Sequence, residues 1–477
     1  MHRVLAVSKK LLTSDHFLYL GFKSLAAVVN LLSIGLFVSW FGLERYGESA
    51  LIIASSTLVL SILGQWLINA VSRFFYDHQE APFKTLWSLS LLLLLLSTVL
   101  LFVPAGAGFV RFATTLNLLL LYFSYNFSLE IIRMKRWVIF YGICMLVEAG
   151  AAILGGYYLS SHPQNLFNPI YICIALSMYV PLVMMVLVLK PSFRMKELTR
   201  ERMQEMFRYG YPMSISSLFG QVIFFGARYF LGLFFGLKEV GIFSTLYDIS
   251  QRGATFILNT LTAASQVGIF KAYSAGKLEQ VNKDLNKQIN LVLQFSVIVA
   301  LLYFNAYPYI LQLTHATDLQ AYKWMLVVVS IIVSINRIKS GTFDLVLQLE
   351  KNTLNITRST VVGAIVSLVP GILLVKFYGI WGAVCSMLFS YLASLLYSYL
   401  LVRRMHIPYL KMNRSVVKKN FPVYLMVGLM FAVSVALFSG MQYGTGNLIM
   451  LGFVMGMALF SIYINSTGSA RGGEERA

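Results

Sequence analysis

Charged side chains set inside long apolar runs are the residues of this chain with the most chemistry to offer. Such groups are costly at membrane depth and are functional candidates by default. Arg228 lies seven residues before Phe235, and Asp248 lies seven after Gly241. If the two runs form a hairpin, both side chains sit at one depth, about 10 Å from the turn at ~1.5 Å per residue. Arg252 follows Asp248 by one helical turn on the same face. Together the three carry one net positive charge. They suit an anionic group gripped by two arginines, with the carboxylate holding the arginines in place. They suit equally a structural ion pair that joins two helices. Lys23, near the start of the first run, reads either as a cation that meets the anion first or as a snorkelling side chain. Arg337 and Lys339, followed by Asp344, either line the mouth of a cavity or mark a helix end. Glu148 sits near the middle of its run, where a lone carboxylate is protonated or paired. It is an H+ or Na+ coupling site, a partner for a cation on another helix, or a neutral core acid.

Other chemistry is not written in the sequence. The phosphate-cradling pattern Gly-x-x-x-x-Gly-Lys-[Ser/Thr] does not occur, and neither does His-Glu-x-x-His. The six histidines are scattered and fall near run ends or in loops. Cys144, Cys173 and Cys385 lie in apolar runs, too widely spaced for a local metal site, and read as small core residues. The expectation is a protein that is not an enzyme and holds neither metal nor cofactor, with H+ or Na+ as a coupling ion.

The elements that must position these charges follow from composition. Of 477 residues, 58% are apolar and 12% charged. A soluble chain carries roughly 45–50% and about 25%. Mean hydropathy is +0.73. A soluble enzyme, a disordered chain, a disulfide scaffold and a single-anchor protein do not fit. Apolar runs fall at 18–40, 49–71, 84–104, 111–130, 136–158, 168–189, 211–235, 240–265, 288–307, 321–345, 359–377, 380–402, 420–439 and 445–465. In a bilayer each must satisfy its own backbone and is therefore a helix. The eighth run is the most polar. With the N-terminus inside, 30 of the 38 Lys and Arg fall in inside segments, five in outside ones, and Lys23, Arg228 and Arg252 within runs. This bias supports fourteen helices with both termini cytoplasmic. It assigns the net charge of +19 to an anionic inner leaflet rather than to nucleic acid. Arg3, Lys9 and Lys10 precede a retained first helix rather than a signal peptide.

The turn after the first run reads Phe41-Gly42-Leu43-Glu44-Arg45-Tyr46-Gly47. The turn after the seventh reads Phe235-Gly236-Leu237-Lys238-Glu239-Val240-Gly241. Four identities in seven, each in a short outside hairpin, suggest a six-helix unit used twice in one orientation. The expected organisation is an N-lobe over 1–190, a charged cytoplasmic linker over 191–209 that forms an interfacial amphipathic helix, and a C-lobe over 210–404. Two appended helices over 420–465 and a cytoplasmic tail over 466–477 complete it. Pro181 and Pro370 are the prolines expected inside helices.

Two six-helix lobes, the charged linker and these two turns resemble the multidrug/oligosaccharidyl-lipid/polysaccharide (MOP) exporter superfamily. Within it, the chain is similar to the polysaccharide branch, the Wzx-type flippases. Tyr378-Gly379-Ile380-Trp381-Gly382-Ala383-Val384 is a second family-like turn. The resemblance covers about residues 15–465. It implies an all-α integral membrane protein, a V-shaped pair of lobes around a cavity that works by alternating access. The implied cargo is an undecaprenyl-pyrophosphate-linked oligosaccharide, moved across a bacterial inner membrane for O-antigen, capsule or exopolysaccharide synthesis. Under it, Arg228, Arg252, Lys23, Arg337 and Lys339 become cavity cations for the pyrophosphate, with Asp248 and Glu148 in support or in ion coupling. Gln65, Asn69, Asn117, Tyr125, Asn126, Gln221, Gln251 and Asn259 suit sugar hydroxyls, and equally suit hydrogen bonds between helices. Expected partners are the lipid-linked oligosaccharide, membrane lipids and a polysaccharide polymerase complex. A multidrug antiporter for organic cations and a flippase for the peptidoglycan lipid precursor are the alternatives. A polymerising or ligating membrane enzyme ranks below them, because the outside loops near 159–167 and 308–320 are short.

Overall fold

A computed structural model describes residues 15–75, 80–103, 106–162, 168–350, 352–405 and 407. The expected helices at 420–439 and 445–465, and the tail over 466–477, lie outside the described residues. Within them the helices are α1 (Asp15–Leu63), α2 (Gln65–Phe74), α3 (Ala81–Leu100), α4 (Ala107–Met134), α5 (Val138–Ser161), α6 (Pro169–Leu189), α7 (Arg200–Phe234), α8 (Leu237–Ser274), α9 (Leu278–Thr314), α10 (Trp324–Ile338), α11 (Asp344–Leu349) and α12 (Thr353–Arg404). A π turn, Lys339–Phe343, joins α10 to α11.

Length separates some of these into membrane segments. At ~1.5 Å per residue, α1 and α12 would each exceed twice a hydrocarbon core of about 30 Å. Each is broken at a glycine that L side chains could not replace without strain: Gly42 at φ 82° and ψ 166°, and Gly379 at φ 54° and ψ −129°. With these breaks, each of the first twelve expected runs has a helical segment. Among the described residues, nine helices are long and apolar enough to cross a membrane. Polar α8 is not one of them. The chain is thus an all-helical, multi-pass membrane protein with twelve α-helices among the described residues, and the last two of the fourteen expected runs lie outside them.

Two boundaries differ from expectation. The second half of the 191–209 linker is the first turns of α7, while 190–199 holds only a 3-10 turn at Met195–Glu197. Pro212 and Pro308 lie inside α7 and α9, beside the expected Pro181 and Pro370 in α6 and α12. The reason is the same for both: α7 and α9 run well past their apolar stretches, so residues at the edge of a run are interior to the helix.

The residues pack as two compact units that divide inside α8, between Ser244 and Thr245. In unit 1 (1–244) the core joins α2 to α6: Phe83, Trp87, Leu121, Phe127, Ile131 and Met185 are fully buried. In lipid, packing and polar contacts rather than apolar burial hold helices together. Here Trp87 Nε1 donates to Ser128 Oγ at 2.6 Å. Asn117, fully buried, donates to Tyr179 OH at 2.9 Å and to Thr98 Oγ1 at 3.0 Å, and accepts from Tyr171 OH at 3.0 Å. One amide thereby ties α3, α4 and α6. Outside the spans, Glu80 pairs with Lys135 at 2.7 Å and Lys84 at 3.0 Å, clamping the start of α3 to the end of α4. Burial pushes the Glu80 carboxyl up, and the two ammonium groups more than reverse this, so its pKa lies below the ordinary glutamate value.

Helix α7 runs antiparallel along α1 and packs on α2. Phe207 meets Trp66, Tyr229 OH shares a 2.8 Å hydrogen bond with Ser55 Oγ, and Gly232 faces Leu51. The two similar turns close this seam. Gly42 and Gly236 both take positive φ, 82° and 99°. A Cβ on Gly47 would overlap the Leu237 carbonyl oxygen, and a Cβ on Gly241 would overlap the Leu43 carbonyl oxygen. Each motif's closing glycine therefore receives the backbone of the other motif.

Unit 2 (245–477) is built on α9 to α12. Ile269, Leu285, Phe343, Val346 and Val402 form a buried cluster around the π turn. Tyr303 OH of α9 donates to the carbonyls of Ile249 and Ser250 at 2.9 and 3.0 Å, and Ser250 Oγ donates to Leu326 O at 2.6 Å.

Because backbone blocks the added methyl, Gly47→Ala and Gly241→Ala are each expected to cost about 3 kcal/mol, the upper end for overpacking. The two sites touch, so the double variant should lose less than the sum. Gly150→Ala, where nothing lies within 4 Å, should match the wild type. Thermal unfolding of the detergent-solubilised variants checks this, and equal melting temperatures for all four proteins would contradict it.

Candidate functional site

Arg228 is the most deeply buried of the cations singled out by sequence, at 2% exposure on α7. Its guanidinium lies 5.1 Å from the Phe225 ring centroid and 5.5 Å from that of Phe224. The negative faces of these rings give a charge in a low dielectric part of its compensation. The neighbouring Tyr229–Ser55 hydrogen bond fixes this turn of α7 on α1. Asp248 and Arg252 belong to unit 2, on α8, four residues apart. Asp248 is buried and Arg252 is exposed. Lys23 is exposed on α1 in unit 1.

Glu148 of α5 is half-buried, and its Oε2 accepts the Tyr125 hydroxyl of α4 at 2.9 Å. The sequence offered a cation as its partner; this contact is with a phenol that is itself 3% exposed.

Arg337 is half-buried at the end of α10, whereas Lys339 is 5% exposed in the π turn. Lys339 Nζ donates to Asp344 Oδ2 at 2.7 Å, and Ser398 Oγ of α12 donates to Asp344 Oδ1 at 3.1 Å. The ammonium is thus turned into unit 2 and neutralised there. A π turn bonds i to i+5, which leaves helix carbonyls to be satisfied from elsewhere. Gln288 of α9, 1% exposed, supplies one such bond: its Nε2 donates to Gly341 O at 2.5 Å, while its Oε1 accepts from Ser265 Oγ of α8. Gly341 is needed for this approach, because a Cβ there would lie 2.8 Å from Gln288 Nε2.

The amides singled out by sequence divide similarly. Asn117 is enclosed in its network, and Asn126 Nδ2 donates to the Tyr122 carbonyl at 2.7 Å. Gln65 Nε2 donates to Asn69 Oδ1 at 3.2 Å on half-exposed α2. Sequence reasoning missed the roles of Gln288, Ser265 and Ser398. One signal was present: Lys339 and Asp344 are five apart, a spacing that an α-helix holds on different faces and a π turn brings together.

Breaking a buried pair leaves one charge uncompensated. Lys339→Met alone is expected to cost about 3–5 kcal/mol. Adding Asp344→Leu should recover most of that loss. A double-mutant cycle read by thermal unfolding checks this, and additive losses would contradict a neutralised buried pair.

No protein-family profile matches the chain, and no curated protein does. Solved structures do match. A multidrug resistance MATE family transporter of the MOP superfamily, in an inward-facing conformation, aligns at TM-score 0.63 and 16% identity, over 81% of this chain and 96% of that one. The lipid II flippase MurJ, in an inward closed conformation, aligns at TM-score 0.71 and 14% identity, over 95% of this chain and 99% of that one. At these identities the likeness is one of fold: the chain has the fold of MOP superfamily transporters and of this flippase.

Proposed function

We propose that the chain is a flippase that carries undecaprenyl-pyrophosphate-linked oligosaccharide repeat units across a bacterial inner membrane by alternating access, for surface polysaccharide synthesis. The observation that carries this reading is Arg228, a guanidinium held at 2% exposure in a membrane-spanning helix. A cation at that depth is costly and marks a functional site by default, here one suited to an anion. Within unit 1, Lys23 adds to it and Glu148 subtracts; within unit 2, Arg252 and Arg337 outweigh Asp248, and the Lys339–Asp344 pair is neutral. The balance of these groups is positive in each unit, which favours a pyrophosphate over an organic cation. The shared fold with a lipid flippase supports a lipid-linked cargo.

The same reading gives the chain fourteen membrane helices with both termini cytoplasmic, and a polysaccharide polymerase as a partner in the pathway. Glu148 or Asp248 serves as the site where H+ or Na+ is coupled to transport. The likeness to the lipid II flippase favours one second reading, transport of the peptidoglycan lipid precursor.

A strain lacking the protein separates these. The proposal expects undecaprenyl-linked oligosaccharide to accumulate and surface polymer to disappear, both restored by the wild type. Arg228→Ala should restore less than about a tenth of the polymer, a factor worth ~1.4 kcal/mol. Arg228→Lys keeps the charge without the bidentate fork and should fall between. Accumulation of the peptidoglycan precursor instead would favour the second reading. Normal lipid-linked pools and normal polymer would contradict both.

A further inference from the structure

The seam between α2 and α7 has two flanks of different chemistry. On one, Gln65 and Asn69 stand four residues apart along α2, which places them on a single face. Trp66 lies beside them. Across the seam, Phe207 packs edge-on against Trp66 with ring centroids 5.3 Å apart, and Tyr211 stacks on Phe207 at 4.7 Å and 22°. The other flank holds Phe74 against Tyr209 at 5.5 Å, with the Arg73 guanidinium 5.4 Å from the Phe74 ring centroid and Met213 exposed.

The aromatic row is built, not incidental. A Cβ on Gly210 would overlap the Trp66 carbonyl oxygen, so only glycine lets α7 come close enough for the rings to meet. Trp66 Nε1 donates to Leu63 O at 2.8 Å, which fixes the indole plane. Phe207 and Tyr211 nevertheless remain 44% and 38% exposed. Arg73 and Arg208 are exposed close by in sequence. Counted along the helices from the glycine turns, the row sits about 36–44 Å away, at the opposite headgroup depth.

Aromatic faces with amides beside them match a sugar. A pyranose presents C–H faces that pack on the negative face of an aromatic ring. Its rim of hydroxyls needs groups that both donate and accept, as Gln and Asn do. Exposed arginines complement a phosphate on the same molecule. We propose that Trp66, Phe207 and Tyr211, with Gln65 and Asn69, form a docking face for the sugar of a lipid-linked glycan at headgroup depth. This rests on the flippase reading above and adds to it a place where the glycan is recognised.

The test uses the full chain in lipid nanodiscs and two probes: a short-chain polyprenyl pyrophosphate, bare or carrying an N-acetylglucosamine disaccharide. Calorimetric titration gives the affinity for each. The wild type should bind the glycosylated probe about tenfold more tightly, as two ring contacts would give. Trp66→Leu and Tyr211→Ala should each reduce that preference severalfold and leave the bare probe unaffected. Tyr209→Ala, on the other flank, should keep the preference. Melting temperatures identify folded variants, and Gln65→Ala with Asn69→Ala repeats the test without touching the packed rings. Preferences unchanged in the variants, or equal losses for both probes, would overturn the inference and leave the rings as an interfacial belt. A wild type that binds the bare probe but gains nothing from the sugar overturns this inference alone. A wild type that binds neither probe overturns the flippase reading with it.

Discussion

Inside a hydrocarbon layer no water is at hand, so each backbone group and each charge has to find its partner within the protein. Most of this structure follows from that requirement. Long helices satisfy the backbone. Where the helix departs from α geometry, at the π turn of 339–343, the Gln288 amide takes up the Gly341 carbonyl. The charges obey the same rule by different means. Lys339 is matched by Asp344, Glu148 accepts a phenol, and Arg228 lies against two phenylalanine faces.

These solutions are not equivalent for function. A neutralised pair has little left for a ligand, because separating it would strand both charges. Aromatic faces attract a cation without cancelling its charge, and Arg228 lies against two of them. The amides sort in the same way: Asn117 is consumed by four hydroxyl-bearing neighbours on two other helices, while Gln65 and Asn69 stand on a half-exposed face. Backbone contacts between the two glycine turns hold α7 against α1, and Gly210 does the same for α2 further along. The seam that carries Arg228 at one depth and the aromatic row at another is therefore set by glycines.

Much of the architecture was legible because it is local. Apolar runs gave the helical segments, and the two glycine motifs were visible as a repeat before their reciprocal packing was known. What was not legible is non-local. Trp66, Phe207 and Tyr211 are far apart in the chain and meet only because Gly210 admits close approach. Lys339 read as lining a cavity mouth or marking a helix end because its spacing to Asp344 fits a π turn, which hydropathy does not reveal. Pro212 and Pro308 sit at the edges of apolar runs, and α7 and α9 extend past them.

The central claim is that a buried cation in a membrane-spanning helix serves the transfer of an anionic lipid-linked sugar. Its most direct measurement is transfer itself: the purified chain in liposomes loaded with a fluorescent polyprenyl-pyrophosphate-linked sugar, with reagent access reporting which leaflet holds the label. Wild type should render the inner-leaflet label accessible, and Arg228→Ala, matched for folded protein, should leave it protected. Equal transfer by both, or no transfer by the wild type above protein-free liposomes, would contradict the claim.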